Sequence, residues 1–255
     1  MAKNTSTRSK GASSKSSHTK GVQTKGFQTK GAQNAISQVR IIAGQFKRRQ
    51  LGFIEAEGLR PTPDRLRETV FNWLTGKLYE TRVLDCCAGS GVLGFEALSR
   101  GANHCVFIEA NAKQSEQLLI SAQSLKLEAT KAQIITGQAQ HVLTQMPEHQ
   151  PAFDVVFIDP PYHLNLWLPI LNTLIDHHRI TTTTLLYIEA DQPLEQILTL
   201  ADSDSPSDTD TENHQTHFNP SINVGHSHQF ICLKSAKVGQ VYAGVFQWLG
   251  SDVAS

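Results

Sequence analysis

Apolar positions begin to recur with a definite period at Val39, and from there the chain can be read as elements. Val39–Gly44 and Arg49–Phe53 read as two short strands around a basic turn, Lys47-Arg48-Arg49. Leu59-Arg60-Pro61-Thr62-Pro63 follows, with Thr62 suited to cap a helix and Pro63 to its first position. That helix carries Leu66, Val70, Trp73, Leu74 and Leu78 on one stripe, and Arg65 and Arg67 fall off it. From Thr81 strand and helix alternate. The strands are Val83–Asp85, Cys105–Ile108, Ala132–Ile135, Phe153–Ile158 and Leu185–Ile188. Helices are expected from the glycine-rich turn to Arg100, over Ala112–Leu127 and over Leu164–His177. Phe153–Ile158 is apolar on both faces, as a central parallel strand should be. The alternation predicts an α/β fold built on a doubly wound parallel sheet. Phe230–Lys234 and Val241–Gln247 are joined by too short a link for a crossover, so they are expected to close the sheet as an antiparallel hairpin.

Two stretches lack this order. Residues 1–38 are low in complexity: Thr19-Lys20-Gly21-Val22-Gln23 returns as Thr24-Lys25-Gly26-Phe27-Gln28 and as Thr29-Lys30-Gly31-Ala32-Gln33. So polar a repeat cannot bury a core, and residues 1–38 are expected to be a disordered basic tail. Residues 201–227 are expected to be a polar insertion, with five acids and no base between Ala201 and Glu212. The organisation is then a tail over 1–38, a basic hairpin and helix over 39–80, and a sheet domain over 81–255.

Charge changes this picture only after division. The 255 residues hold 23 basic and 23 acidic side chains, a net charge of zero that argues against a polyanion partner. Yet residues 1–67 hold 14 of the Lys and Arg and only Glu55, Glu57 and Asp64, whereas most of the acids lie beyond. A basic block of this kind points to a polyanion partner or to a solvated basic tail without one. No run of 18 apolar residues occurs, so no membrane helix is expected. Cys86, Cys87, Cys105 and Cys232 have neither zinc nor disulfide-framework spacing. No metal and a reducing, cytoplasmic setting are therefore expected, and with no apolar stretch near Met1 no secretory signal is expected.

Two motifs carry chemistry. In Asp85-Cys86-Cys87-Ala88-Gly89-Ser90-Gly91 the glycines let the backbone turn off a strand and approach a ligand. Continued to Gly94 the string is G-x-G-x-x-G, which alone suggests a dinucleotide. Asp85 weighs against that, since a carboxylate repels pyrophosphate and attracts a cation. Glu109 ends the second strand, where it can accept hydrogen bonds from the ribose of NAD or of an adenosyl cofactor. The second motif is Asp159-Pro160-Pro161-Tyr162, after the central strand. Its prolines stiffen an extended loop. Asp159 and the Pro160 carbonyl can accept both hydrogens of an exocyclic amine, and Tyr162 offers a face for a base to stack on. Acceptors of this kind stabilise the positive charge that develops on an attacking aromatic amine.

These motifs resemble those of the class I S-adenosylmethionine-dependent amino-methyltransferases. Leu59–Thr62, Asp64–Glu68, Phe71–Leu74, Ala88–Gly91, Gly94 and Glu96–Ala102 bring the chain closer still to the RsmD family, which methylates the exocyclic N2 of a guanine in bacterial small-subunit (16S) rRNA. The resemblance covers about Val39–Ala201 and resumes over Phe230–Trp248. It implies a Rossmann-like methyltransferase sheet, S-adenosyl-L-methionine as cofactor, and 16S rRNA or a small-subunit precursor as partner of a monomeric enzyme. Asp85, Ala88, Gly89, Ser90 and Gly91 would hold the methionine part of the cofactor and Glu109 its ribose. Gln138 and Ala139 would lie by adenine, where the family usually has a shorter Asn or Asp in place of Gln138. Asp159, Pro160, Pro161 and Tyr162 would hold the guanine. Lys47, Arg48, Arg49, Arg60, Arg65 and Arg67 would meet RNA phosphates. Three other readings compete. A DNA amino-methyltransferase shares Asp-Pro-Pro-Tyr but normally carries a large target-recognition domain. An NAD-dependent dehydrogenase leaves Asp159–Tyr162 idle. A non-catalytic ribosome-binding protein explains the basic block alone.

Overall fold

The computed structural model describes residues 36–55, 62–199, 221–224 and 228–251. The described residues group as one compact unit. It is built on a sheet of eight strands. In chain order these are β3 (Arg82–Asp85), β4 (His104–Glu109), β5 (Ala132–Thr136), β6 (Val155–Ile158), β7 (Leu185–Ala190), β8 (Ser221–Val224), β9 (His228–Val238) and β10 (Val241–Ser251). Their spatial order is β5-β4-β3-β6-β7-β10-β9-β8. The strands from β5 to β7 are parallel, and β10, β9 and β8 each pair antiparallel with their neighbour. The chain runs outward from β3 through β4 to β5, then returns to β6 on the other side of β3. That reversal places a crevice at the carboxyl ends of β3 and β6, where ligands bind in open α/β sheets.

The central strands are apolar on both faces because both are covered. On one face Val83, Phe107, Val155, Phe157 and Tyr187 pack under α1 (Asp64–Trp73), α2 (Val92–Ser99) and α3 (Ala112–Ser124). On the other, Leu84, Val106, Ile108, Val156, Ile158 and Ile188 pack under α4 (Ala139–Gln145), α5 (Trp167–Asp176) and α6 (Leu194–Thr199). Successive residues of β3 and β6 thus serve opposite cores, the period of two that a strand imposes. No helix among the described residues is long and apolar enough to cross a membrane.

The antiparallel close of the sheet is as expected, and its strands are longer than their apolar centres. Part of the expected insertion is ordered sheet: Ser221–Val224 pairs with β9. The rest of 201–227 lies outside the described residues, as does the expected tail up to residue 35. Two helices lay beyond the apolar pattern, α4 and α6. Helix α5 starts later than expected, at Trp167, because Tyr162–Leu164 forms a 3-10 turn and Asn165 stands in the left-handed region at φ 49°.

The amino-terminal hairpin is β1 (Ile36–Arg40) and β2 (Gln50–Ile54), so the first strand begins and ends earlier than Val39–Gly44. The cause is Glu96 of α2. Its fully buried carboxylate accepts from Ile42 N (2.7 Å) and Ala43 N (3.0 Å), taking these amides out of the strand ladder. Ser99 Oγ donates to Ala43 O (2.5 Å) and accepts from Phe46 N (2.9 Å). Gly44 lies so close that a Cβ there would stand 1.9 Å from Ser99 O.

Arg67 departs from the sequence expectation most clearly. It was expected at RNA phosphates, but it is fully buried. Its guanidinium donates to Arg40 O (2.9 Å), Thr62 O (3.0 Å) and Asp64 Oδ1 (2.5 Å), and stands 4.0 Å from Glu96. Arg67 is therefore a structural bolt that binds hairpin, α1 and α2. Thr62 is likewise no cap. Pro63 occupies that place without a side-chain bond, and the Thr62 hydroxyl turns elsewhere. Glu96→Ala should unseat the hairpin. It strips two amides of their acceptor and leaves Arg67 and Arg100 short of a counter-charge, at a cost of about 3–5 kcal/mol. Chemical denaturation measures the loss, and faster amide exchange at Ile42 and Ala43 should accompany it.

Candidate active site

Four adjacent parallel strands each bring one carboxylate to the same end of the sheet. Glu109 ends β4 and Asp85 ends β3, Asp159 follows β6, and Glu189 lies near the end of β7. Strand register puts Asp85 opposite Phe157 and Ile158 opposite Ile188, so the four acids form a row across the crevice.

The glycine turn is folded around two of them. Asp85 is buried and accepts from Gly94 N (3.1 Å), inside α2. Glu109 accepts from Gly89 N (2.8 Å) and from Asn111 N (2.8 Å), so it shapes the turn and the start of α3. Gly91 stands at φ 71°, and a Cβ there would come 2.5 Å from Leu118, which only glycine avoids. Ala88 and Ser90 are buried within the turn. Gln114 carries no sequence signal of its role. It is buried, donates to Gly89 O (2.6 Å) and accepts from Ile54 N (2.8 Å), tying the turn to β2. Beyond β5, Ala139 is buried and the Gln138 side chain is exposed with no capping bond.

Asp159-Pro160-Pro161-Tyr162 leaves β6 at the other side of the crevice. Asp159 is partly buried, Pro160 buried and Pro161 exposed. The Tyr162 ring lies against Trp167, with centroids 6.0 Å apart and planes 25° apart. Trp167 is itself held by a bond from Nε1 to Glu189 O (2.9 Å). One face of Tyr162 is thus braced.

Glu189 is the residue that sequence reading missed. It is buried, and three hydroxyls donate to it: Tyr187 (2.7 Å), Thr62 (3.0 Å) and Tyr162 (3.3 Å). The signal was present, since it ends an apolar strand just as Glu109 does.

Burial raises three of the acids. Burial pushes Asp85 up to about 7, and Glu109 adds to the effect against the Gly94 amide. Burial, then Glu189 and Asp85, holds Asp159 well above the usual carboxylate range. Burial also raises Glu189, opposed by its three hydroxyl donors. The Cys87 thiol, amid Asp159, Asp85 and Glu109, is pushed up by burial and then by these charges. No group of three or more His, Cys, Asp or Glu among the described residues is placed to hold a metal ion.

The basic residues divide. Lys47, Arg48 and Arg65 are exposed, and Arg49 is exposed while donating to Ser124 O (2.6 Å). Arg60 lies outside the described residues, and Arg67 is buried as above.

The neighbours that shift Asp85, Asp159 and Glu189 are carboxylates, hydroxyls and a backbone amide. Such a crevice opposes a pyrophosphate and fits the sulfonium of S-adenosylmethionine. Together with a sheet that reverses its last strands, it marks a class I S-adenosylmethionine-dependent methyltransferase. A model of the family described as "Conserved hypothetical protein 95" matches residues 39–214. The chain belongs to this family, the RsmD family. It is 44% identical over 163 residues to ribosomal RNA small subunit methyltransferase D of Haemophilus influenzae, covering 63% of this chain and 84% of that one. The Escherichia coli protein of the same name is 40% identical over 154 residues, covering 60% and 75%. The solved Escherichia coli structure of yhhF superposes with a TM-score of 0.61 at 31% identity, covering 84% of this chain and 100% of that one.

The raised value of Asp85 predicts that cofactor binding depends on pH. Its raised value means that the folded protein holds a proton which the unfolded chain has lost above 3.8, so this group's effect on stability worsens as pH rises toward about 7. A cationic ligand favours the ionised form. Affinity for S-adenosylmethionine should therefore rise as pH passes through about 7, with a proton released on binding. Calorimetry in buffers of different ionisation enthalpy measures that release, and Asp85→Asn should abolish it.

Proposed function

We propose that the protein methylates the exocyclic N2 amine of one guanine in small-subunit (16S) rRNA, acting as a cytoplasmic monomer. The single observation that supports this most is the braced Asp159–Tyr162 loop at the crevice between β3 and β6. A guanine stacked on the free face of Tyr162 would place its amine by Asp159 and the Pro160 carbonyl. These two acceptors take its hydrogens and help the nitrogen rehybridise. S-adenosylmethionine, when bound, would supply the methyl from its sulfonium to the amine nitrogen, and Asp159 would take the proton that the nitrogen then gives up. The glycine turn, Asp85 and Glu109 hold that side of the crevice, and Gln138–Ala139 border the adenine. Holding both reactants at near-attack distance supplies most of the acceleration. The names of the relatives support rRNA as substrate.

Exposed Lys47, Arg48, Arg49 and Arg65, with Arg60, would meet phosphates. Arg67 serves by seating the hairpin that carries the basic turn.

Asp159→Ala should abolish methyl transfer to rRNA and leave cofactor affinity within a few-fold of wild type. Labelled-methyl incorporation and calorimetry measure the two, and full turnover in this variant would sink the reading. Lys47→Ala and Arg48→Ala should weaken RNA binding with little dependence on sequence. Each should lower the slope of log affinity against log salt by about 1.

A further inference from the structure

The crevice and the basic turn lie at opposite edges of the sheet. Helices α2 and α3 each run from the carboxyl end of one parallel strand back to the amino end of the next, so both finish at the edge away from the crevice. The turn between β1 and β2 is fastened to those far ends. Gln45 N donates to Ser99 O (2.8 Å) and Phe46 N to Ser99 Oγ (2.9 Å), at the last residue of α2. Arg49 donates to Ser124 O (2.6 Å), at the last residue of α3. The open end of the hairpin is at the crevice instead, where Ile54 N donates to Gln114 (2.8 Å) and Gln114 to Gly89 O (2.6 Å).

Two lengths give the separation. From Gln114 to Ser124 the helix α3 rises about 15 Å. From Arg49 to Ile54 the extended chain of β2 covers about 16 Å. Asp159 lies farther still, beyond the reversal of the sheet. A stacked strand sets one phosphate about every 3.4 Å along its axis, so the basic turn is roughly five nucleotide steps or more from the target base.

Charge divides along the same axis. The crevice edge carries Asp85, Glu109, Asp159 and Glu189, and the donors to Asp85, Glu109 and Glu189 are amides and hydroxyls. That edge gives a phosphate no partner. The far edge carries Lys47, Arg48 and Arg49, and Lys126, two residues beyond Ser124, joins them there. Lys47, Arg48 and Lys126 are exposed, and among the described residues their side chains make no hydrogen bond or ion pair. Glu128, the acid nearest to Lys126 in the chain, accepts from Thr130 Oγ1 (3.3 Å). Arg48 and Lys126 also stand in the left-handed region, at φ 71° and 57°. Glycine suits such positions best, and Lys126 occupies the place after a helix where glycine is commonest. Backbone strain kept at an exposed cation points to a task for the charge.

We propose that Lys47, Arg48, Arg49 and Lys126 form a remote anchor for the phosphates of an RNA segment other than the one that carries the target guanine. The proposal rests on the reading that RNA is the substrate. The anchor supplies affinity and the crevice supplies chemistry. An RNA that satisfies both is a folded one, with a backbone segment about 15 Å or more from the target base. A short single strand around the guanine fills the crevice alone. Arg65 belongs to the near side: it is exposed, three residues after Thr62, whose hydroxyl reaches Glu189 (3.0 Å) at the crevice.

Crosslinking tests the geometry. A photoreactive group is placed on Arg48→Cys or on Arg65→Cys in the full chain, bound to rRNA from cells that lack the enzyme, with the unsubstituted protein as background. The group at position 48 should mark nucleotides roughly five or more steps from the methylated guanine, or on another strand, and the group at position 65 nearer ones. Marks from position 48 confined to the neighbours of the guanine, or none, overturn the anchor. Arg48→Gly with Lys126→Gly tests its energetics. Glycine relieves both left-handed positions, so the thermal melt should hold or rise. KM for rRNA should rise about tenfold, and the slope of log affinity against log salt should fall by about 2. An unmoved KM and slope overturn the anchor. A higher KM with a lowered melt does so too, since the side chains would then serve the fold. Labelled-methyl transfer to rRNA by the unsubstituted enzyme separates the two ideas. Its absence sinks the RNA reading itself, whereas normal transfer with an unmoved KM in the double variant sinks the anchor alone.

Discussion

The carboxylate of Glu96 holds the functional parts of the molecule in one frame. A fully buried acid is tolerable only with enough donors, and Glu96 has two backbone amides of the hairpin turn and the Arg100 guanidinium, with Arg67 at 4.0 Å. Through these bonds it takes Ile42 and Ala43 out of the strand and joins the hairpin to the helix that follows the glycine turn. Arg67 extends the frame. It grips Arg40 O in the hairpin and Thr62 O before α1, and the Thr62 hydroxyl reaches Glu189. A continuous line of hydrogen bonds and one ion pair thus runs from the basic turn to the base pocket. Gln114 makes a second, shorter line from β2 to Gly89.

The other constraint is the row of acids. Parallel strands all end on one edge, so a residue type repeated at strand ends becomes a cluster in space. Here the cluster is Glu109, Asp85, Asp159 and Glu189; burial holds down the charge of the last three, and neighbouring acids add to the effect at Asp85 and Asp159. Three of these acids also have a mechanical task. Glu109 and Asp85 clamp backbone amides of the glycine turn and of α2. Glu189 fastens three hydroxyls and, through its carbonyl, Trp167. The negative field is accordingly part of the same bonding that shapes the crevice, and a cationic cofactor answers both.

The elements were largely legible because their causes are local. Apolar runs on both faces of Cys105–Ile108 and Phe153–Ile158 marked central strands, and the short link near Gly239 marked the hairpin. Errors fell where a distant group claimed a local one. Thr62 has the side chain of a good cap, and Glu189 took its hydroxyl. Ile41–Gly44 continue a strand pattern, and Glu96 and Ser99 took their amides and space. Arg67 sits off the apolar stripe of α1 like a surface base, and lies at the junction of three elements. The Ser221–Val224 strand escaped because its pairing with β9 is made across a polar segment.

By itself the sequence determined where strands end, which acids stand there, and which loop is stiff enough to present a base. Those are properties of neighbours along the chain: period, proline geometry, glycine conformation. The tertiary structure alone decided which of these acids meet. The reversal of strand order at β3 brings Asp159 and Glu189 to one side of the crevice and Asp85 and Glu109 to the other. The docking of the amino-terminal segment then brings the Thr62 hydroxyl to Glu189. Burial and proximity make a protonation state, and neither exists until segments more than a hundred residues apart, Thr62 and Glu189, are packed together.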